Sequence, residues 1–137
     1  MLDLLEKALA LRAAPLFASL EADELLPVAE MCTEVGLAEG DQLFAQGELG
    51  DSLYVIVSGR VAIVRDGQPI AELGAGECVG ELAALDLEPR SAAVVAKTTT
   101  EFIRLERDDL FDLLGDSPEL VRSLAGVLVR RLRTTQK

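Results

Sequence analysis

One stretch of this chain holds most of its chemistry: Gly80-Glu81-Leu82-Ala83-Ala84-Leu85-Asp86-Leu87-Glu88-Pro89-Arg90-Ser91-Ala92. Glycine lets backbone come close to a ligand, and a short helical turn beginning at Glu81 aims N–H groups at the same place. Arg90 can meet a phosphate as a planar fork with two charged hydrogen bonds. Pro89 fixes the backbone just before it and stops the turn from continuing. Together these residues make a cradle for one small phosphate. Glu81 fits poorly beside an anion unless it faces a hydroxyl, because an ionised carboxylate only accepts hydrogen bonds. A singly charged phosphate with a neighbouring hydroxyl satisfies both side chains. The competing reading is a surface Glu81–Arg90 ion pair, worth about 0–1 kcal/mol.

Composition narrows what can surround the cradle. With 137 residues, half of them hydrophobic, the chain can bury a core as one domain, and disorder is excluded. Tryptophan is absent, so that core is aliphatic. The net charge of −11, from 13 basic and 24 acidic residues, argues against a nucleic-acid or anionic-membrane surface. There is no histidine, which removes the commonest general base and metal ligand and speaks against an enzyme, including a metal-dependent cupin on a similar barrel. Cys32 and Cys78 have no metal or redox spacing, and with no targeting signal the expected home is the cytoplasm. No apolar run approaches the roughly 18 residues of a membrane span.

The elements that must position the cradle follow from periodicity. Residues 2–12 read as a helix with Leu2, Leu5 and Leu9 on one face and Leu4, Ala8 and Leu11 beside it, stopped by Pro15. A second helix lies within 21–32, where Pro27 requires either a kink or a late start. From about residue 33, glycines punctuate short runs such as Leu53-Tyr54-Val55-Ile56-Val57 and Val61-Ala62-Ile63-Val64. Asp66-Gly67 marks a tight hairpin, and the spacing of turns signals a sandwich or barrel. A helix over 107–114 is expected to end on Gly115 as a left-handed cap. Ser117-Pro118 then opens a last helix whose apolar face is Leu120, Leu124, Val127, Leu128 and Leu132.

The run from Gly80 to Ala83 and from Pro89 to Ala92 resembles the phosphate-binding cassette of cyclic nucleotide-binding domains. Phe44 through Val61, with its glycines at 47, 50 and 59, is similar to the strands upstream of that cassette, and the flanking helices match as well. The resemblance implies a mainly β fold: an eight-stranded, jelly-roll-like β-roll with N-terminal helices and two C-terminal helices. It divides a single domain over 1–137 into a helical element (1–32), a roll (33–106) containing the cassette (80–92), and hinge and lid helices (107–137). It also implies roles for residues. Glu81 accepts the ribose 2′-hydroxyl, Arg90 binds the cyclic phosphate, the N–H groups of Ala83 and Ser91 reach phosphate oxygens, and Gly80 leaves room for the ribose. Val61, Ile70, Leu73, Val79 and Leu82 fall where the family lines its pocket, although each is equally suited to core packing. Arg131 and Thr135 fall where a member of the family touches its ligand from the final helix, and serve equally well as solvated partners of the helix dipole.

The expected function is that of a regulatory sensor of cyclic AMP, transmitting occupancy through its terminal helices, with no catalysis, cofactor or metal. Cyclic GMP is the other candidate ligand, since Ser91 suits either nucleotide, and an interaction module with a vestigial pocket is the other candidate class. The chain carries nothing like an output domain, so an effector on a longer or separate chain is the expected partner. The apolar final helix is also suited to a homodimer seam.

Overall fold

The computed structural model describes residues 2–86 and 88–135, with the side chains at 82, 83, 86, 131, 132, 134 and 135 left out. Two helices, α1 (Leu4–Ala13) and α2 (Ala22–Met31), precede eight strands. The strands are β1 (Thr33–Leu37), β2 (Gln42–Phe44), β3 (Ser52–Ser58), β4 (Arg60–Arg65), β5 (Gln68–Gly74), β6 (Cys78–Val79), β7 (Ala93–Ala96) and β8 (Thr100–Glu106). The short helix α3 (Glu81–Asp86) lies between β6 and β7, and α4 (Arg107–Asp116) and α5 (Pro118–Thr135) close the chain. The strands form two antiparallel four-stranded sheets in the orders β1-β8-β3-β6 and β2-β7-β4-β5, the expected β-roll with flanking helices.

Two apolar clusters explain why β3 reads as an unbroken hydrophobic run. Leu53 and Val55, with Ile103 and Leu105 from the neighbouring β8, face the helices and pack with Leu11, Phe17, Val28, Leu110 and Leu120. Ile56 and Phe102 point the other way, into a layer between the sheets with Phe44, Val61, Val79 and Val94. A strand covered on both faces has no polar side to show. The β4–β5 hairpin turns on Asp66 (φ 53°) and Gly67 (φ 77°), both left-handed as the sequence requires.

Three local expectations change. The inner face of α1 is the second of the two apolar stripes: Ala8 and Leu11 are buried, whereas Leu5 and Leu9 are 64% and 56% exposed. With leucine on nearly every side of α1, its packing against α2 and β3 selects the inner face rather than its own periodicity. In α2, Pro27 sits inside a continuous helix that starts at Ala22, so there is no late start. The N–H that it lacks would have met the carbonyl of Asp23, and both residues lie on the exposed side, where water can serve that carbonyl. Gly115 does not cap α4, which runs on to Asp116. The helix is stopped instead by Ser117, held extended (φ −134°) as the residue before a proline. The Ser117 hydroxyl accepts the Leu120 N–H at 3.1 Å, capping α5 as expected.

Candidate ligand-binding site

The cassette is a connection between sheets: β6 ends at Val79, Gly80 turns the chain, α3 follows, and Pro89 to Ala92 lead into β7. Gly80 adopts φ 84° and its carbonyl accepts the Ala84 N–H at 3.1 Å, starting α3. A Cβ on Gly80 would lie 2.5 Å from Nη1 of Arg90 and 3.0 Å from the Ser52 carbonyl oxygen. The space that glycine frees here is therefore occupied by the arginine.

Arg90 is the centre of the site. It is only 5% exposed, and its Nη1 and Nη2 donate to the carbonyls of Gly80 and Ser52, each at 3.0 Å. Its guanidinium lies over the Phe44 ring, 4.1 Å from the centroid. On another side a Cβ added to Gly50 would come within 2.7 Å of Nη2. Two glycines and an aromatic face thus wall a slot that fits one planar cation. The backbone is pinned as well: Arg90 N–H donates to the Glu48 carbonyl (2.9 Å), and the Gly47 N–H donates to the Arg90 carbonyl (2.8 Å). Burial lowers the pKa of the guanidinium from its ordinary value, and the fields of Tyr54, Glu48, Asp51 and Glu81 oppose that shift. Its Nε is buried with no hydrogen-bond partner among the described residues.

Glu81 opens α3 and is 2% exposed. Neither Glu81 nor Arg90 is on the surface, so the exposed ion pair that the sequence also allowed is not what is built here. Both line a cavity of about 710 Å³, a size suited to a small molecule. Among the residues singled out from sequence, Gly80, Ser91, Ile70, Leu73 and Val79 line the same space. Ile70 is half-exposed on β5, an apolar side chain that a ligand would cover.

Val61 takes the core-packing reading that the sequence left equally open. It is fully buried between the sheets and does not line the cavity, whereas Ile63, two residues on and facing the same way, does. Leu82, Ala83, Arg131 and Thr135 fall on α3 and α5, but their side chains lie outside the described residues. From α5 the described lining residues are Val127 and Arg130, one turn apart. Pro15 and Leu16, in the turn after α1, form another part of the wall, and Arg65 at the end of β4 another. Sequence periodicity held no signal for Pro15 and Leu16, because a turn has no face to extrapolate.

Among the described residues no cluster of three metal-ligating side chains occurs, and no helix is long and apolar enough to cross a membrane. Comparison with known proteins is consistent with this geometry. The profile of the cyclic nucleotide-binding domain matches residues 34–117. A CRP-like cAMP-activated global transcriptional regulator of Mycobacterium tuberculosis is 34% identical over 127 residues, 89% of this chain and 57% of that protein. A cAMP-dependent protein kinase regulatory subunit of Aspergillus niger is 33% identical over 114 residues, 82% of this chain and 28% of that protein. The crystal structure of the Thermus thermophilus catabolite activator protein superposes with a TM-score of 0.84 at 37% identity, covering 90% of this chain and 60% of the other. The chain therefore spans less than two thirds of the length of these relatives. Profile, relatives and superposed fold agree with the cassette read from residues, and the chain belongs to the cyclic nucleotide-binding domain family.

Proposed function

We propose that this chain is the non-catalytic sensor module of a cytoplasmic regulatory protein, and that its ligand is cyclic AMP. The observation that carries the reading is the pairing of buried Arg90 and buried Glu81 in the wall of one cavity. A buried cation suits the cyclic phosphate and a buried carboxylate suits the ribose 2′-hydroxyl, each at a position where water competes poorly. The N–H groups of Ala83 and Ser91 complete the phosphate contacts, Gly80 leaves room for the ribose, and Ile70, Leu73, Val79 and Leu82 offer apolar surface. Arg131 and Thr135 are assigned to the lid over the base. Two of the relatives are cAMP-activated or cAMP-dependent by name, which favours adenine over guanine. Occupancy would shift α4 and α5 between two positions, and the effector that reads this shift is a separate domain or partner.

Titration calorimetry with cyclic AMP and cyclic GMP, on the wild type and Arg90→Ala, tests the reading. The expected result is tighter binding of cyclic AMP and a loss of about 10- to 100-fold in the variant. Arg90→Lys, which keeps the charge but not the fork, serves as a milder substitution if the alanine variant fails to fold. No heat with either nucleotide would overturn the proposal. For the transmission step, amide exchange over 118–133 should slow when ligand is added; unchanged rates would remove that part.

A further inference from the structure

A second arginine at the cassette has no role in the reading so far. Arg65, the last residue of β4, lines the cavity and donates from Nε to the carbonyl of Ser91 at 3.3 Å. Arg65 has no carboxylate within ion-pair distance among the described residues. Its neighbour Asp66 is held elsewhere. The Asp66 carboxylate accepts from Nε2 of Gln46 at 2.9 Å, and its N–H donates to Oε1 of Gln46 at 2.7 Å. That pair of hydrogen bonds latches the hairpin tip to the segment after β2 and sets Arg65 beside the cassette, with its terminal nitrogens engaged by no hydrogen bond among the described residues.

The contact also orients backbone. A trans peptide points its N–H opposite to its C=O. The Arg90 carbonyl is taken by Gly47, which fixes the direction of the Ser91 N–H. The Ser91 carbonyl is taken by Arg65, which fixes the direction of the Ala92 N–H. Resting on the cyclic nucleotide reading above, we propose that Arg65 is a second cation for the ligand phosphate, holding it from the rim while Arg90 holds it from within, and positioning the Ser91 peptide between them. Nε keeps the cassette in place and the Nη groups are available to an anionic oxygen.

Calorimetry with cyclic AMP on the wild type, Arg65→Met, Arg65→Lys and Arg122→Met tests this, each at two ionic strengths, with melting temperatures measured alongside. Arg122 is an exposed cation paired with Glu119 on α5 and controls for net charge alone. Arg65→Met should bind about fivefold more weakly, with a shallower dependence on salt, while its melting temperature stays near that of the wild type. Arg65→Lys should recover part of the loss, because it restores the charge but not the simultaneous Nε contact to Ser91, and Arg122→Met should match the wild type. Equal affinity of Arg65→Met and wild type, or an equal loss in Arg122→Met, overturns the inference and leaves the sensor reading standing. A loss that lysine does not recover and that salt does not alter assigns Arg65 to fold support alone and overturns it too. Absence of binding by the wild type defeats both.

Discussion

At the scale of the residue, the site depends on side chains that are missing. Arg90 fits because positions 50 and 80 carry no Cβ, and added methyls would stand 2.7 Å and 2.5 Å from its terminal nitrogens. Gly50 does not adopt a left-handed φ, so its role is clearance alone. Gly50→Ala should leave the roll folded while displacing the guanidinium, and calorimetry should then show cyclic AMP binding weakened by about tenfold. Wild-type affinity in that variant would mean that the slot is looser than drawn. Glu81 is tested through the ligand. Glu81→Gln should shrink the preference for cyclic AMP over its 2′-deoxy analogue, because the amide offers a weaker acceptor than a carboxylate; an unchanged preference would remove the ribose contact. The identities of Glu81 and Arg90 were legible in the sequence because their types and spacing are unusual together. The slot was not legible: Phe44 and Gly50 lie some forty residues upstream and meet Arg90 only once the sheets are stacked.

Elements were legible where one force dominated. The Asp66-Gly67 turn and the Ser117 cap each follow from local chemistry, and both appear as read. The failures are cases where a neighbour decides. The face of α1 is selected by α2, the end of α4 by the proline two residues beyond Asp116 rather than by Gly115, and the helix through Pro27 survives because its lost hydrogen bond faces outward. Val61 and Ile63 show the same limit within a strand, since periodicity gives a side of the sheet but not a depth along it. One prediction belongs at this scale. Ser117→Ala removes the hydroxyl that accepts the Leu120 N–H and should cost about 1 kcal/mol in denaturant unfolding, with faster amide exchange in the first turn of α5. Exchange unchanged in that turn would show that Pro118 alone starts the helix.

For the whole molecule, the helical layer and the sheet share one core, and Cys32 is buried in it. Burial pushes its thiol from 9.0 up to about 12, with the Lys7 charge opposing and Asp109 adding to the shift. The folded state therefore keeps a proton that the unfolded chain gives up above pH 9. Stability is complete below that pH and falls as pH rises from 9 towards 12, by up to about 1.4 kcal/mol per pH unit. Chemical denaturation across this window should show the decline, and Cys32→Ala should flatten it; an equal slope in both proteins would place the alkaline weakness elsewhere. The joint at Ser117 also has a mechanical consequence. A single extended residue separates α4 from an 18-residue helix, which at about 1.5 Å per residue is roughly 27 Å long. Over that arm, a rotation of about 10° at the joint sweeps the far end through about 5 Å. Val127 and Arg130, partway along the arm, would move about half and about two thirds as far, so small adjustments at the cavity wall are geared up at the tip of the helix.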